Sequence, residues 1–293
     1  MGAKKADKLA TIIISTISFM VVAILAAFII YILYNGISML KPSFLFGAAK
    51  TTKAGGGIGA QLFNSFYILV VSLIITVPIG IGAGIYLSEY AKEGPVVRAI
   101  RLSLETMSSL PSIVIGMFGL LIFVNMFGWG YSVLAGALSV SILNIPSMTR
   151  IAENALTSAG KRVKEASLGL GATKWQTIIK LSLPMAMSEI LTGIILSAGR
   201  IFGEAAAFLY TAGLSTGKLN FSDISLTGKS AFSLFRPAET LAVHIWKLNS
   251  EGVVPDAAAI ANGTAAVLII CVLLFNLLAR LIGNKLMKSY SGK

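Results

Sequence analysis

Two charged residues stand close together in an otherwise apolar run. They are Arg200 and Glu204, in Ser197-Ala198-Gly199-Arg200-Ile201-Phe202-Gly203-Glu204. A guanidinium carries its donors in a planar fork that matches an oxyanion. A carboxylate beside it can hold the fork in place and keep the anion from being trapped. On one helix the i, i+4 spacing gives both a common face, where they can also simply pair. Two readings therefore stand: an anion-binding group on a polar path, or a structural ion pair locking this helix to a neighbour. Gly199 and Gly203 leave room for such a neighbour.

A second set runs from Lys161 to Pro184, polar, basic and punctuated by glycine between apolar segments. The spacing predicts a short helix with Val163, Ala166 and Leu170 on one face and Lys161, Arg162, Lys164 and Glu165 on its wet side. Gly169 and Gly171 break it, since glycine tolerates a left-handed turn. Thr173 and Gln176 have capping-box spacing and start a second piece, and Pro184 suits the first turn of the next helix. An apolar chain keeps such a stretch where it lies in water and something docks on it.

Other chemistries are excluded. The single cysteine, Cys271, allows no intrachain disulfide and no cysteine metal site, and the single histidine, His244, rules out a two-histidine zinc motif. No metal or cofactor is expected. Gly228-Lys229-Ser230 resembles the end of a phosphate-binding loop, but that pattern needs glycine where this chain has Asp223. No nucleophile–base cluster suggests a membrane-embedded enzyme.

The elements that position these residues follow from composition. The chain has 293 residues, 56% hydrophobic and only 12% charged; soluble domains carry about 25% charged residues. Apolar runs reach the roughly 20 residues a helix needs to cross a bilayer. An all-α polytopic membrane protein of six transmembrane helices is expected, with spans at about 9–34, 62–86, 106–127, 131–148, 185–209 and 257–282. These form a single transmembrane domain over 1–293, with a polar loop at 150–184 and a long loop at 210–256. Within that long loop, Pro237 is expected to start a short helix carrying Leu241, Ile245 and Leu248 on one face. The net charge of +12 concentrates in the N-terminus, Ser88–Arg101, Arg150–Lys180 and the tail (Lys285, Lys288, Lys293). Positive loops stay cytoplasmic, which predicts both termini inside, the 150–184 loop in the cytoplasm and 210–256 outside. The basic balance thus points to the lipid bilayer, not to nucleic acid.

Within this frame Arg200 lies about 24 Å along the span that Pro184 begins. A charge at the centre of a span costs about 2.5–3.5 kcal/mol on insertion scales, so Arg200 needs protein or water around it. Gly80 and Gly84 either admit a close helix or loosen the chain near Pro78. Ser108, Ser109 and Ser112 around Pro111 either line a polar path or bond their own helix. Asn125 and Asn144 are expected to bridge helices, and Arg101 to pair with Glu105.

The polar loop also carries a motif. Glu165-Ala166-Ser167, three residues, Gly171, nine residues, then Leu181-Ser182-Leu183-Pro184 resembles the EAA loop of permease subunits of ATP-binding cassette (ABC) importers; Ser167 and Leu181 replace alanine and isoleucine. Further stretches extend the likeness over nearly the whole chain: Gly84–Ala91, Arg101–Thr106, Leu110–Gly119, Gly199–Ala207 and Thr240–Ile245. Together they are similar to the A-type permease subunits of Pst phosphate importers, which commonly have proline where this chain has Ala207. The resemblance implies a type I ABC importer permease fold. It also implies a second, C-type (PstC-like) permease, a cytoplasmic ATP-binding subunit dimer and an external phosphate-binding protein. ATP hydrolysis would belong to that separate subunit. Glu165, Ala166, Gly171 and Pro184 are then expected to couple to the ATPase, and Arg200, Glu204 and Ser112 to line the substrate path. The expected function is phosphate import by alternating access. The alternatives are another oxyanion (phosphonate, sulfate, molybdate) or ATP-independent secondary transport.

Overall fold

A computed structural model describes residues 2–50, 53–228, 230–252 and 254–290. Lys229 and Lys293, named above, lie outside the described residues, as do the side chains of Lys161, Arg162 and Lys288. The order is α1 (Ala3–Gly36), α2 (Pro42–Phe46), α3 (Gly59–Ile85), α4 (Pro95–Ser109), α5 (Ser112–Gly119) and α6 (Val133–Ser158). Then come α7 (Lys161–Gly169), α8 (Lys174–Thr177), α9 (Leu183–Gly203), α10 (Ala206–Thr211), α11 (Leu241–Glu251) and α12 (Ala257–Tyr290). Wider π-helical turns extend α3 through Tyr86–Tyr90, extend α5 through Leu120–Met126, and join α8 to α9 through Ile178–Ser182.

Among the described residues, four helical runs are long and apolar enough to cross a membrane: Ala3–Met39, Gly59–Tyr90, Lys174–Gly203 and Ala257–Gly283. A fifth arises if Pro95–Ser109 and Ser112–Met126, bent by 99°, count as one span. At 26 residues α6 is about 39 Å long. Its buried Ser139, Ser141, Asn144 and Thr149 lower its hydropathy and mark it as an inner helix.

The straight span expected at 106–127 is bent, because Leu110 takes an extended conformation before Pro111. Proline's ring pushes the preceding residue out of the helical region. Two further expectations are refined. Pro184 lies in the first turn of α9 as expected, but α9 does not start free: a π-helical turn joins it to α8, so one run extends from the Thr173 cap to Gly203. The π-helical turn at Ile178–Ser182 sits where proline would strike the carbonyl four residues back. The expected span at 185–209 likewise breaks at Glu204 and Ala205 before α10 resumes.

Small residues set the packing. A Cβ on Gly80 would sit 2.6 Å from Met148 Cγ, and one on Gly84 would sit 2.5 Å from Ala152 Cβ and 2.9 Å from the Glu153 amide nitrogen. The pair therefore serves close approach of α3 to α6. Gly116 brings α5 equally near Ala207 Cα. Around these contacts Ile68, Leu69, Leu143, Ile201, Phe202 and Phe208 form the central core. Smaller cores close each end, one at Met148, Leu156 and Ile190, the other at Phe44, Ile58, Leu241 and Ile260. α1 is exposed along nearly its whole length and meets α12 through Gly36, against Ala266 and Asn262. A helix apolar on every side belongs in lipid or against protein.

Candidate functional site

At the basic end of the molecule, the 161–184 stretch forms a protruding two-armed turn. α7 ends at Gly169, and Gly171 takes φ +86°, a left-handed conformation open to glycine at no steric cost. Thr173 and Gln176 make the expected reciprocal capping box. Glu165, Ala166 and Gly171 are all exposed, and Leu170 is 90% exposed. Ser167, one of the two departures from the EAA pattern, bonds Thr177 Oγ1 at 2.9 Å and ties the two arms together. Lys164 does not stay on the wet side. Its ammonium reaches Glu89 and donates to the Leu156 carbonyl at 2.7 Å. Arg101 pairs with Glu93 at 2.7 Å and Glu153 at 2.8 Å, and not with Glu105 as expected.

The Arg200 and Glu204 pair is rearranged by the helix break. Glu204 lies past the end of α9 in extended backbone, so the two do not share a helix face. Among the described residues no ion pair joins them. Each is matched by a backbone end instead. Arg200 occupies the last turn of α9, where unpaired carbonyls and the negative end of the helix dipole favour a cation. Glu204, 9% exposed, accepts the Ala207 amide at 3.1 Å at the start of α10. The departure from proline at 207 supplies that amide. Arg200 is exposed, and among the described residues no other element comes within 4 Å of a Cβ placed on Gly199 or Gly203, so the helix neighbour expected there is not among them. Ser112 is half-buried one turn before Gly116, on the face α5 turns toward Ala207. Glu204 thus sits at the α9–α10 junction that Gly116 of α5 packs against, with Arg200 exposed one turn before it.

The remaining polar candidates bond locally. Ser108 donates to the Glu105 carbonyl, Ser109 to that of Thr106, and Asn144 to that of Val140, each on its own helix. Asn125 is exposed. Ser230, beside Gly228, gives its hydroxyl to the Asp223 carbonyl, and no helix follows it as a phosphate loop requires.

The opposite end holds a network that the sequence reading missed. Glu239, 4% exposed, accepts Gln61 Nε2 at 2.9 Å and lies 2.9 Å from His244 Nδ1 and 3.8 Å from Lys247 Nζ. Asn64 donates to Thr216 Oγ1 and to the Glu239 carbonyl, and accepts from Arg236 at 2.9 Å. Arg236 lies over the Phe63 and Tyr67 rings and donates to the Ala231 carbonyl. Burial pushes its pKa below the usual arginine value. The available signal was Gln61, Asn64 and Ser65 at i, i+3, i+4, a polar face at the start of an apolar helix. The short helix of this loop starts at Leu241, capped by Thr240, and not at Pro237.

The family described as binding-protein-dependent transport system inner membrane component matches residues 76–290. A probable ABC transporter permease protein, YqgI of Bacillus subtilis (strain 168), is 50% identical over 98% of both chains. The phosphate transport system permease protein PstA of Yersinia pestis is 36% identical, over 79% of this chain and 74% of that one. The PstA of Pasteurella multocida (strain Pm70) is 32% identical over 94% of both. Among solved structures, a bacterial ABC transporter involved in the import of the acidic polysaccharide alginate superposes with TM-score 0.62 at 13% identity, over 96% of both chains. The MetNI methionine ABC transporter superposes with TM-score 0.54 at 17% identity, over 80% of this chain and 94% of that one. The helical fold is that of type I ABC importer permeases. The chain belongs to the binding-protein-dependent transport system inner membrane components, the membrane-spanning permease subunits of ABC importers.

Proposed function

We propose that this permease carries inorganic phosphate into the cell, with Arg200 as the anion-attracting group on the path. The observation that carries the reading is Arg200 itself, an exposed guanidinium without a carboxylate partner among the described residues, in the last turn of an apolar helix. A cation compensated only by backbone carbonyls keeps its donors free for an oxyanion. Glu204 fixes the helix break beside it, and Ser112 lines the facing helix. The PstA relatives support phosphate over other oxyanions.

In this reading the exposed Glu165, Ala166 and Gly171 dock on a cytoplasmic ATP-binding dimer, with both termini inside. Pro184 lies on the continuous helix that runs from the docking turn to Arg200. A second, PstC-like permease covers the open Gly199 and Gly203 face, and a phosphate-binding protein delivers substrate to the 210–256 loop outside. ATP-driven closure of the dimer pulls the docking turn and reorients the helices around the break.

The test is uptake of labelled phosphate by the assembled importer in cells lacking other phosphate transport. Arg200→Ala should stop uptake while the complex still purifies intact, and Arg200→Lys should retain part of it. Loss of assembly in Arg200→Ala would make the residue structural. Uptake of sulfate or molybdate in place of phosphate would reassign the substrate.

A further inference from the structure

Glu89 stands where several elements meet, and the Gly84–Ala91 stretch that contains it gives it no role by its spacing. It lies in the π-helical turn that ends the 32-residue run Gly59–Tyr90. Both arms of the docking turn grip this point. From α7, the Lys164 ammonium bonds the Glu89 carboxylate; from α8, the Lys174 ammonium lies 3.4 Å from the Glu89 carbonyl and 5.7 Å from the centre of the Tyr90 ring. The Lys164 and Glu89 side chains are each 16% exposed, so the pair is largely withdrawn from water. Lys164 also holds α6 through the Leu156 carbonyl. Nothing comparable fixes the exposed Glu165 or Trp175.

The other end of the same helix carries Gln61 and Asn64, which bond Glu239, Thr216 and Arg236 of the long loop. Between the two ends, Gly80 and Gly84 seat the helix directly on α6. A packed helix of this length, about 48 Å, moves as a rod. We infer that Glu89 is a positioning residue for energy coupling: through Lys164 it straps the docking turn to α3, so that α3 carries motion between the docking turn and the loop at the far end. This is a second route beside the continuous helix to Arg200, and it rests on the reading of 161–184 as the ATPase-docking turn. A charge-assisted bond suits the task because it holds direction while the exposed arms reshape around a partner.

The experiment uses the whole importer, with partner permease, ATPase and binding protein, reconstituted in liposomes. Phosphate imported per ATP hydrolysed is measured for Glu89→Gln and for the charge reversal Glu89→Lys with Lys164→Glu. Glu89→Gln is expected to keep the ATPase bound and active but lower that ratio about five- to tenfold, the lower range of typical coupling between sites. The reversed pair is expected to recover most of it, which a merely structural contact loss would not produce. An unchanged ratio in Glu89→Gln overturns the strap, and so does a lowered ratio that the reversed pair leaves uncorrected. Ala166→Asp separates this failure from that of the docking reading. If the ATPase still copurifies with that variant, the docking assignment itself is wrong; if it is released while Glu89→Gln is unaffected, only the strap is.

Discussion

The two ends of the permease are held by opposite means. At the basic end the tip of the 161–184 turn is exposed, the Lys164–Glu89 pair ties the turn to α3, and Arg101 pairs with Glu93 and Glu153 beside it. At the opposite end the long loop is fixed by buried groups, with Glu239, Gln61, Asn64 and His244 all within the protein and Phe63, Tyr67 and Phe232 packed around Arg236. An exposed ion pair such as Arg101–Glu93 contributes about 0–1 kcal/mol and yields easily, whereas the largely buried Lys164–Glu89 pair holds. A buried polar group left without its partner costs several times more. One end can therefore change shape against a partner at little cost, while the other keeps its form. On the proposed docking role of the 161–184 turn, a subunit that receives mechanical input there and presents a fixed loop at the other end needs that asymmetry.

The asymmetry can be broken most severely at Glu239. Glu239→Leu removes the acceptor for Gln61 and the partner of His244 and Lys247, and should destabilise the subunit by about 3–5 kcal/mol. Thermal unfolding in detergent measures the loss; a change as small as that of a surface pair would erase the contrast between the ends. Next comes Gly84→Leu, where a side chain must displace Ala152 and the Glu153 backbone. A cost of about 1–3 kcal/mol is expected from overpacking. Gly80→Ala should cost less because it adds a single methyl, although that methyl meets Met148 Cβ at 2.7 Å and cannot be relieved by side-chain rotation alone.

Gly171→Val should cost about 1–2 kcal/mol of local strain, the penalty for a left-handed residue with a side chain. Space around it is open, so global unfolding should barely move, while copurification of the ATPase or transport per ATP should fall. Normal uptake in this variant would remove the docking role from the turn. The smallest stability effect is expected for Arg101→Ala, at most about 1 kcal/mol, and it should vanish in high salt. Comparing melting temperatures of the two proteins at low and high salt checks this directly.

The sequence carried far at the basic end because the signals there are local. The left-handed glycine, the capping box and the docking motif each depend on residues a few positions apart, and Gly171, Thr173 and Gln176 adopt the conformations their types require. It carried less far wherever a helix was assumed to stay straight. Leu110 before Pro111 and the break at Glu204 each redirect the chain, and the second turns an expected i, i+4 ion pair into two charges matched by separate helix ends. Lys164 and Arg101 found partners 75 and 52 residues away, which no local spacing announces.

Composition and apolar run length by themselves determined that this is a helical membrane protein, because crossing about 30 Å of hydrocarbon leaves a chain few other choices. The spacing of Glu165, Ala166, Gly171 and Pro184 pointed to its family, since that motif is encoded within one short stretch of chain. Only the tertiary structure decided which charges meet, that Arg200 stays open while Glu204 is occupied, and that one helix joins the docking turn to the far loop. Those outcomes depend on how separate helices pack, where small residues allow contact and where prolines bend the path, and such distances are fixed in space and not along the chain.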